Sequence, residues 1–168
     1  MILYHGSTVI VKEPQILLSQ RYLDFGMGFY TTSSEEQAKR WALKVGVRRK
    51  SREQYISIYD FDLEAAKKAL QIIEFSKADE SWLDFVCTCR SGKNVNMDYD
   101  MVMGPVADDN VYATVQLYEL GVLDKEEAVK RLKVEALYNQ VLFHTEESLA
   151  FCRYQKAYQI GGGENGQQ

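Results

Sequence analysis

The chain has 168 residues, 46% hydrophobic and 26% charged, with a net charge of −4 and a pI near 5.3. That size and composition favour one globular domain with a real core and exclude a disordered or fibrous chain. The acidic balance argues against a general nucleic-acid binder; no apolar run reaches the ~18 residues of a membrane span.

Ile2 to His5 is a short apolar and aromatic run that stops at Gly6-Ser7, which predicts a strand ending in a turn. Val9 to Tyr22 reads as loop, because Pro14 suits neither a central strand nor a helix interior. Phe25-Gly26-Met27-Gly28 then gives a glycine turn, and Phe29 to Thr32 a second strand. Ser34 is placed to cap a helix, with Gln37 returning the bond in a capping box. Ala38, Trp41, Ala42 and Val45 follow at helical spacing, which puts Trp41 on the core stripe, and Gly46 is expected to stop the helix.

Tyr55 to Phe61 predicts a strand. Leu63 to Phe75 fits either one helix or a short helix followed by a strand over Leu70 to Phe75. Trp82, Phe85, Val86 and Cys89 mark a helix, and Tyr99 to Val106 a strand running into Gly104-Pro105. Asp109 begins a helix through Tyr118 that ends at Gly121. Asp124 and Glu127 form a second capping box, opening a helix to about Ala136. Tyr138 to His144 predicts a strand. Thr145 caps a short helix through about Tyr154, and Ala157 to Ile160 is a last strand. Residues 161–168 are a Gly-rich polar tail, so the domain is expected to be 1–160.

Other patterns exclude more than they assign. Cys87, Cys89 and Cys152 are an odd number of cysteines without zinc spacing; they read as small hydrophobes in a reducing compartment, and no metal is expected. The opening residues lack the charged region and long apolar stretch of a secretion signal, which points to the cytoplasm and away from membranes. Lys44, Arg48, Arg49, Lys50 and Arg52 cluster. They suit either the negative pole of a helix end or contact with a polyanion.

Three segments combine strand ends with glycine or polar residues: Tyr4-His5-Gly6-Ser7, Phe25 to Tyr30, and Tyr138-Asn139-Gln140-Val141-Leu142-Phe143. A glycine lets a ligand approach the backbone, because no Cβ intervenes. A neutral His can bind a hydroxyl, and an aromatic ring can stack on a planar heterocycle.

In order and context these segments resemble the ADP-ribosyltransferases of the diphtheria-toxin and poly(ADP-ribose) polymerase type. That class has a His-Gly-Ser/Thr motif, a Gly-x-Gly-x-Tyr motif before a helix, and an Asn-Glu strand. The chain is similar more closely to a bacterial family of uncharacterised ADP-ribosyltransferase-like domains over about residues 1–160, including Gly104 to Asp109. The resemblance implies an α+β fold of two small packed antiparallel or mixed sheets with surrounding helices.

By the resemblance, NAD is the substrate and His5, Tyr30 and Gln140 form the catalytic set. His5 would hold a ribose hydroxyl, the Gly6 backbone the carboxamide, and Tyr30 the nicotinamide. Ser7, Gly28, Thr31, Ser34 and Gln37 would complete the NAD site, with Ser33 and Trp41 nearby. The departure is Gln140, where active members carry Glu. A carboxylate there stabilises the positive charge that develops on the ribose, and Gln brings no net charge.

Asp108, Asp109, His144, Glu146 and Glu147 are secondary candidates; for the acids the plain alternative is helix capping. The implied activity is transfer of one ADP-ribose to a protein or nucleic-acid acceptor, as in toxins and effectors, with an inhibitor or antitoxin as a further implied partner. The alternatives are an NAD glycohydrolase and a nucleotide-binding module without turnover.

Overall fold

A computed structural model describes residues 1–16, 23–92, 98–105, 109–132 and 139–160. In chain order these form β1 (Ile2–Ser7), β2 (Phe29–Thr32), α1 (Glu35–Arg49), β3 (Tyr55–Phe61), α2 (Leu63–Ala69), β4 (Ile72–Glu74) and α3 (Glu80–Arg90). They continue with β5 (Met101–Pro105), α4 (Asp109–Glu119), α5 (Lys125–Leu132), β6 (Asn139–Phe143), α6 (Glu146–Leu149) and β7 (Cys152–Gln159).

The α+β class holds, but the strands make one mixed sheet, ordered β4-β5-β6-β2-β1-β3-β7, where two small sheets were expected. One register pair, Tyr4↔Thr32, ties the halves β4-β5-β6-β2 and β1-β3-β7 together. By contrast β1 pairs with β3 from Ile2 to Ser7, and β2 pairs with β6 from Phe29 to Thr32. Only β4 and β5 are parallel.

Strand alternation sends neighbouring residues to opposite faces. On one face Tyr30, Val102 and Leu142 pack with Trp82, Leu83 and Val86 of α3, Val115 of α4 and Leu132 of α5. On the same face of the other half, Ala38 and Ala42 of α1 cover Ile56, Ile58 and Tyr4. The opposite face carries Leu3, Phe29, Tyr59, Met101, Val141 and Phe143 beneath α2, α6 and the Val11–Ile16 loop. Each fully buried large apolar side chain contributes roughly 1.5–3 kcal/mol. Trp82 also donates its indole N–H to the Pro105 carbonyl at 3.2 Å, which satisfies its one polar atom.

Local expectations fared unevenly. Gly46 does not end α1. The helix runs on to Arg49 and closes on Lys50, whose φ of 54° is left-handed and whose N–H returns to Gly46 and Val47. Gly46 instead admits Gln54, since a Cβ there would lie 2.5 Å from the Gln54 amide nitrogen.

The capping box at Ser34 forms by half. Ser34 accepts from the Gln37 N–H at 3.3 Å, but the Ser34 N–H goes to Thr32 Oγ1 at 3.1 Å. Asp124 likewise caps Glu127 N–H at 2.8 Å, while the Glu127 carboxylate turns to Arg131. Leu63–Phe75 resolves into helix then strand. The helix after Thr145 ends at Leu149, so Cys152–Tyr154 belong to β7 because they complete the ladder with β3. Tyr138, the end of the helix towards Ala136 and the 161–168 tail lie outside the described residues.

The three thiols are unpaired, and burial pushes Cys87 and Cys89 up to about 11 and Cys152 to about 12, as unreactive packing groups. No helix among the described residues is long and apolar enough to cross a membrane.

Candidate functional site

The first two glycine motifs meet where β1 and β2 part. Beyond Tyr4↔Thr32 the ladder between them stops, so among the described residues His5–Ser7 face β2 without pairing to it. His5 bridges this gap, its Nδ1 lying 2.8 Å from the Tyr30 carbonyl oxygen. A carbonyl can only accept, so Nδ1 carries the proton. Burial lowers the imidazole pKa from 6.5; the Tyr30 carbonyl opposes this, and the Arg49 charge adds a smaller lowering. The ring is therefore neutral at pH 7, with Nε2 as its acceptor. It lies against Phe29 at 4.6 Å between centroids, tilted by 33°.

Tyr30 contributes its backbone to this contact and its ring elsewhere. Its hydroxyl donates to the Gly26 carbonyl at 2.5 Å and accepts from the Phe25 N–H at 3.2 Å. The ring packs with the Leu142 and Val102 cluster, on the face opposite Phe29 and His5. Burial, the dominant cause, raises its pKa well above 10, so the phenol stays protonated. The structure thus joins His5 to the Tyr30 carbonyl, not to the Tyr30 ring.

The glycines are accounted for by protein contacts. A Cβ on Gly6 would lie 2.0 Å from the Ala38 carbonyl oxygen and 2.9 Å from Ala42 N, so its missing side chain admits α1. Gly28 has φ 151°, and a Cβ there would meet the Phe143 carbonyl oxygen at 2.2 Å. Ser7 is buried at the end of β1, and Thr31 donates to the Val141 carbonyl at 3.0 Å.

Thr32 organises the junction of β2, β6 and α1. Its Oγ1 lies 2.9 Å from the Asn139 carbonyl, 3.0 Å from the Gln37 side-chain amide and 3.1 Å from the Ser34 N–H. The hydroxyl has one proton. That proton is shared between the Gln37 side-chain carbonyl and the Asn139 carbonyl, and the Asn139 carbonyl also accepts from the Ser33 N–H at 3.3 Å. Gln140 sits in register between Thr32 and Gly104, half-buried, on the same face as Tyr4 and Tyr30. Its amide makes no hydrogen bond among the described residues. No carboxylate shares the row Tyr4–Thr32–Gln140–Gly104.

The other candidates spread out. Ser33 is exposed and Ser34 is occupied as the cap. Trp41 is 44% exposed and leaves the core stripe expected of it, because Ala38, Ala42, Val45 and Gly46 form the buried face of α1. His144 donates from Nδ1 to the Met27 carbonyl at 2.7 Å and packs on Tyr99 at 5.2 Å, which ties the glycine turn to the end of β6.

Glu146 and Glu147 are exposed in the first turn of α6. They follow Phe143, about 10 Å along β6 from Gln140, so neither replaces its missing charge without a large movement. Asp108 lies outside the described residues, as does the side chain of Asp109, the first residue of α4.

Sequence reasoning missed Thr32, Phe29 and Arg90. Arg90 lies 3.8 Å from Asp24 and 3.9 Å from Glu119, with Tyr112 4.3 Å from its guanidinium, and so anchors the turn before β2. Nothing in the spacing of these residues announces such contacts. Two recesses, of about 240 Å³ at Gln71–Ile73 with Tyr99 and about 310 Å³ at Met1 and Asp60–Glu64, are lined by none of His5, Tyr30 and Gln140. Among the described residues no group of His, Cys, Asp and Glu is arranged to hold a metal.

A family model described as a protein of unknown function (DUF3990) matches residues 1–154, and the chain belongs to that family. No curated protein matches it.

Proposed function

We propose that this family member is an NAD-dependent mono-ADP-ribosyltransferase that works at the divergence of β1 and β2. The observation that carries the proposal is the neutral His5, fixed by the Tyr30 carbonyl with Nε2 left as its acceptor. A ribose hydroxyl is a donor of the kind such an atom takes. The ordered motifs His5-Gly6-Ser7, Gly26 to Tyr30 and Asn139-Gln140 support the same reading by resemblance.

In the reaction the bond between C1′ of the ribose and the nicotinamide nitrogen breaks. Its electron pair leaves with nicotinamide, and the sugar gains oxocarbenium character. A nucleophilic oxygen or nitrogen of a protein or nucleic acid then bonds to C1′ and loses its proton; with water in that place the enzyme is a glycohydrolase. By the resemblance Gln140 would accept a hydrogen bond from the 2′-hydroxyl, but it offers no charge to the cation. It lies on the face opposite His5, so one ribose can meet both only through the gap where β1 and β2 part. A missing electrostatic partner of this kind costs ~2.7–4 kcal/mol, or ~10²–10³ in rate. Polymer formation is therefore not part of the proposal.

The neutral row around Gln140 favours one second reading, an NAD-binding module with little turnover. Calorimetric NAD binding and nicotinamide release separate the two. Wild type should bind NAD and release nicotinamide slowly, His5→Ala should lose binding, and Gln140→Glu should raise release by ~10²-fold or more. Binding without release in both wild type and Gln140→Glu selects the module. Failure of wild type to bind NAD removes both readings.

A further inference from the structure

We propose that the outer face of α1 is a binding surface for single-stranded nucleic acid. Between Lys39 and Arg52 the chain places seven cations and no carboxylate, in a protein whose net charge is −4. The helix dipole accounts for Arg48, Arg49 and Lys50 in and after the last turn. Lys39 pairs with Glu35 at 3.2 Å. The dipole does not account for Arg40 and Lys44, because that effect fades within one turn of the helix end.

The inner face of α1 is occupied by the sheet, through Ala38, Ala42, Val45 and Gly46. The cations Arg40, Lys44 and Arg48 recur every fourth residue on its exposed side. Any surface ion pairs they make are worth about 0–1 kcal/mol and can be exchanged for phosphate. Trp41 stands beside this row, 44% exposed, as a platform on which a base can stack.

The same face is poorly made for a membrane. Trp41 and Leu43, two residues apart, are rotated by about 200° around the helix and lie on opposite flanks, with Arg40 and Lys44 between them. An interfacial helix needs one continuous apolar face.

The C-terminal end of this surface reaches the chain just past β1. Arg49 donates to Thr8 Oγ1 at 3.2 Å, just past the end of β1. Trp41 precedes Ala42, whose backbone nitrogen is one of the atoms crowding Gly6. The His5 ring lies on the opposite face of the sheet from α1, so a strand held here does not reach it directly. The binding surface is therefore independent of the transferase reading.

The test uses the intact protein without NAD and a fluorescein-labelled single-stranded oligonucleotide of mixed sequence, as RNA and as DNA. Anisotropy should report binding that weakens with salt. The triple variant Arg40→Gln/Lys44→Gln/Arg48→Gln should bind roughly tenfold or more weaker, with a log–log salt slope shallower by about 2. Trp41→Ala should cost roughly five- to hundredfold.

Because the only other tryptophan, Trp82, is buried, quenching of the intrinsic fluorescence reads Trp41 directly. All four positions are exposed, and unchanged thermal melting will show that the variants fold. Absence of binding to either oligonucleotide, binding untouched by the triple variant, or preferential binding to phosphatidylserine vesicles would overturn the proposal. Oligonucleotide binding together with a failed NAD assay supports this surface and sinks the transferase reading alone.

Discussion

Substituting Gly6 by Ala separates two explanations of the glycine in the first motif. If the glycine serves only a ligand, the protein without NAD should tolerate a methyl group. The structure says otherwise: the new Cβ would lie 2.0 Å from the Ala38 carbonyl oxygen, and 2.9 Å and 3.0 Å from Ala42 N and Ala38 C. These are backbone atoms of α1, flanked by alanines that are 1% and 0% exposed, so no side chain can swing aside. Relief requires α1 to retreat by at least about 1 Å along much of its packed face.

Overpacking costs typically ~1–3 kcal/mol, and a rigid obstacle puts this case at the upper end. At ~2–4 °C per kcal/mol for a domain of this size, Tm should fall by roughly 6–12 °C. Urea unfolding monitored by circular dichroism, without NAD, measures the loss. Gly121→Ala is the control: nothing lies within 4 Å of its Cβ, but its φ is 70°, so only strain of about 1–2 kcal/mol is expected. A Gly6→Ala loss below ~0.5 kcal/mol would refute the packing explanation and return the glycine to a ligand role.

Tyr30→Phe removes the hydroxyl shared by the Gly26 carbonyl and the Phe25 N–H, and should cost about 1–3 kcal/mol by urea melt. NAD affinity should change little, since the hydroxyl is spent on the turn; a large affinity loss with stability intact would contradict that assignment. The lowered pKa of His5 means that the unfolded chain binds more protons than the folded one between the folded pKa and 6.5. Its contribution to stability is complete above pH 6.5 and is lost as pH falls through that window. His5→Gln should show a flatter profile over the same range, and parallel profiles for the two proteins would dismiss the half-buried neutral ring. NAD affinity should hold at pH 6.5 and fall only as pH drops through the folded pKa of His5, which lies below 6.5, where Nε2 takes a proton and ceases to accept.

What the sequence by itself determined is local. Ser34, Asp124 and Thr145 announce helix starts because a side-chain oxygen can satisfy a free N–H wherever the helix lies. Gly26 and Gly28 announce the turn before β2 because only glycine adopts their φ of 84° and 151° without strain. Neighbouring positions were misread where a distant partner decided. Gly46 stays helical because Gln54 needs its space, and Trp41 leaves the core stripe because Ala38 and Ala42 already meet the sheet.

The candidate site shows the same division. The composition of its motifs is visible in the chain, as is the substitution of Gln140 for an acid. Which side chains share a face belongs to the tertiary structure alone. β1 and β2 are joined at one pair and then part, and on that geometry depends whether His5 meets the carbonyl or the ring of Tyr30. A hydrogen bond across 25 residues is set by how two strands twist and diverge, and no spacing rule along one chain encodes that divergence.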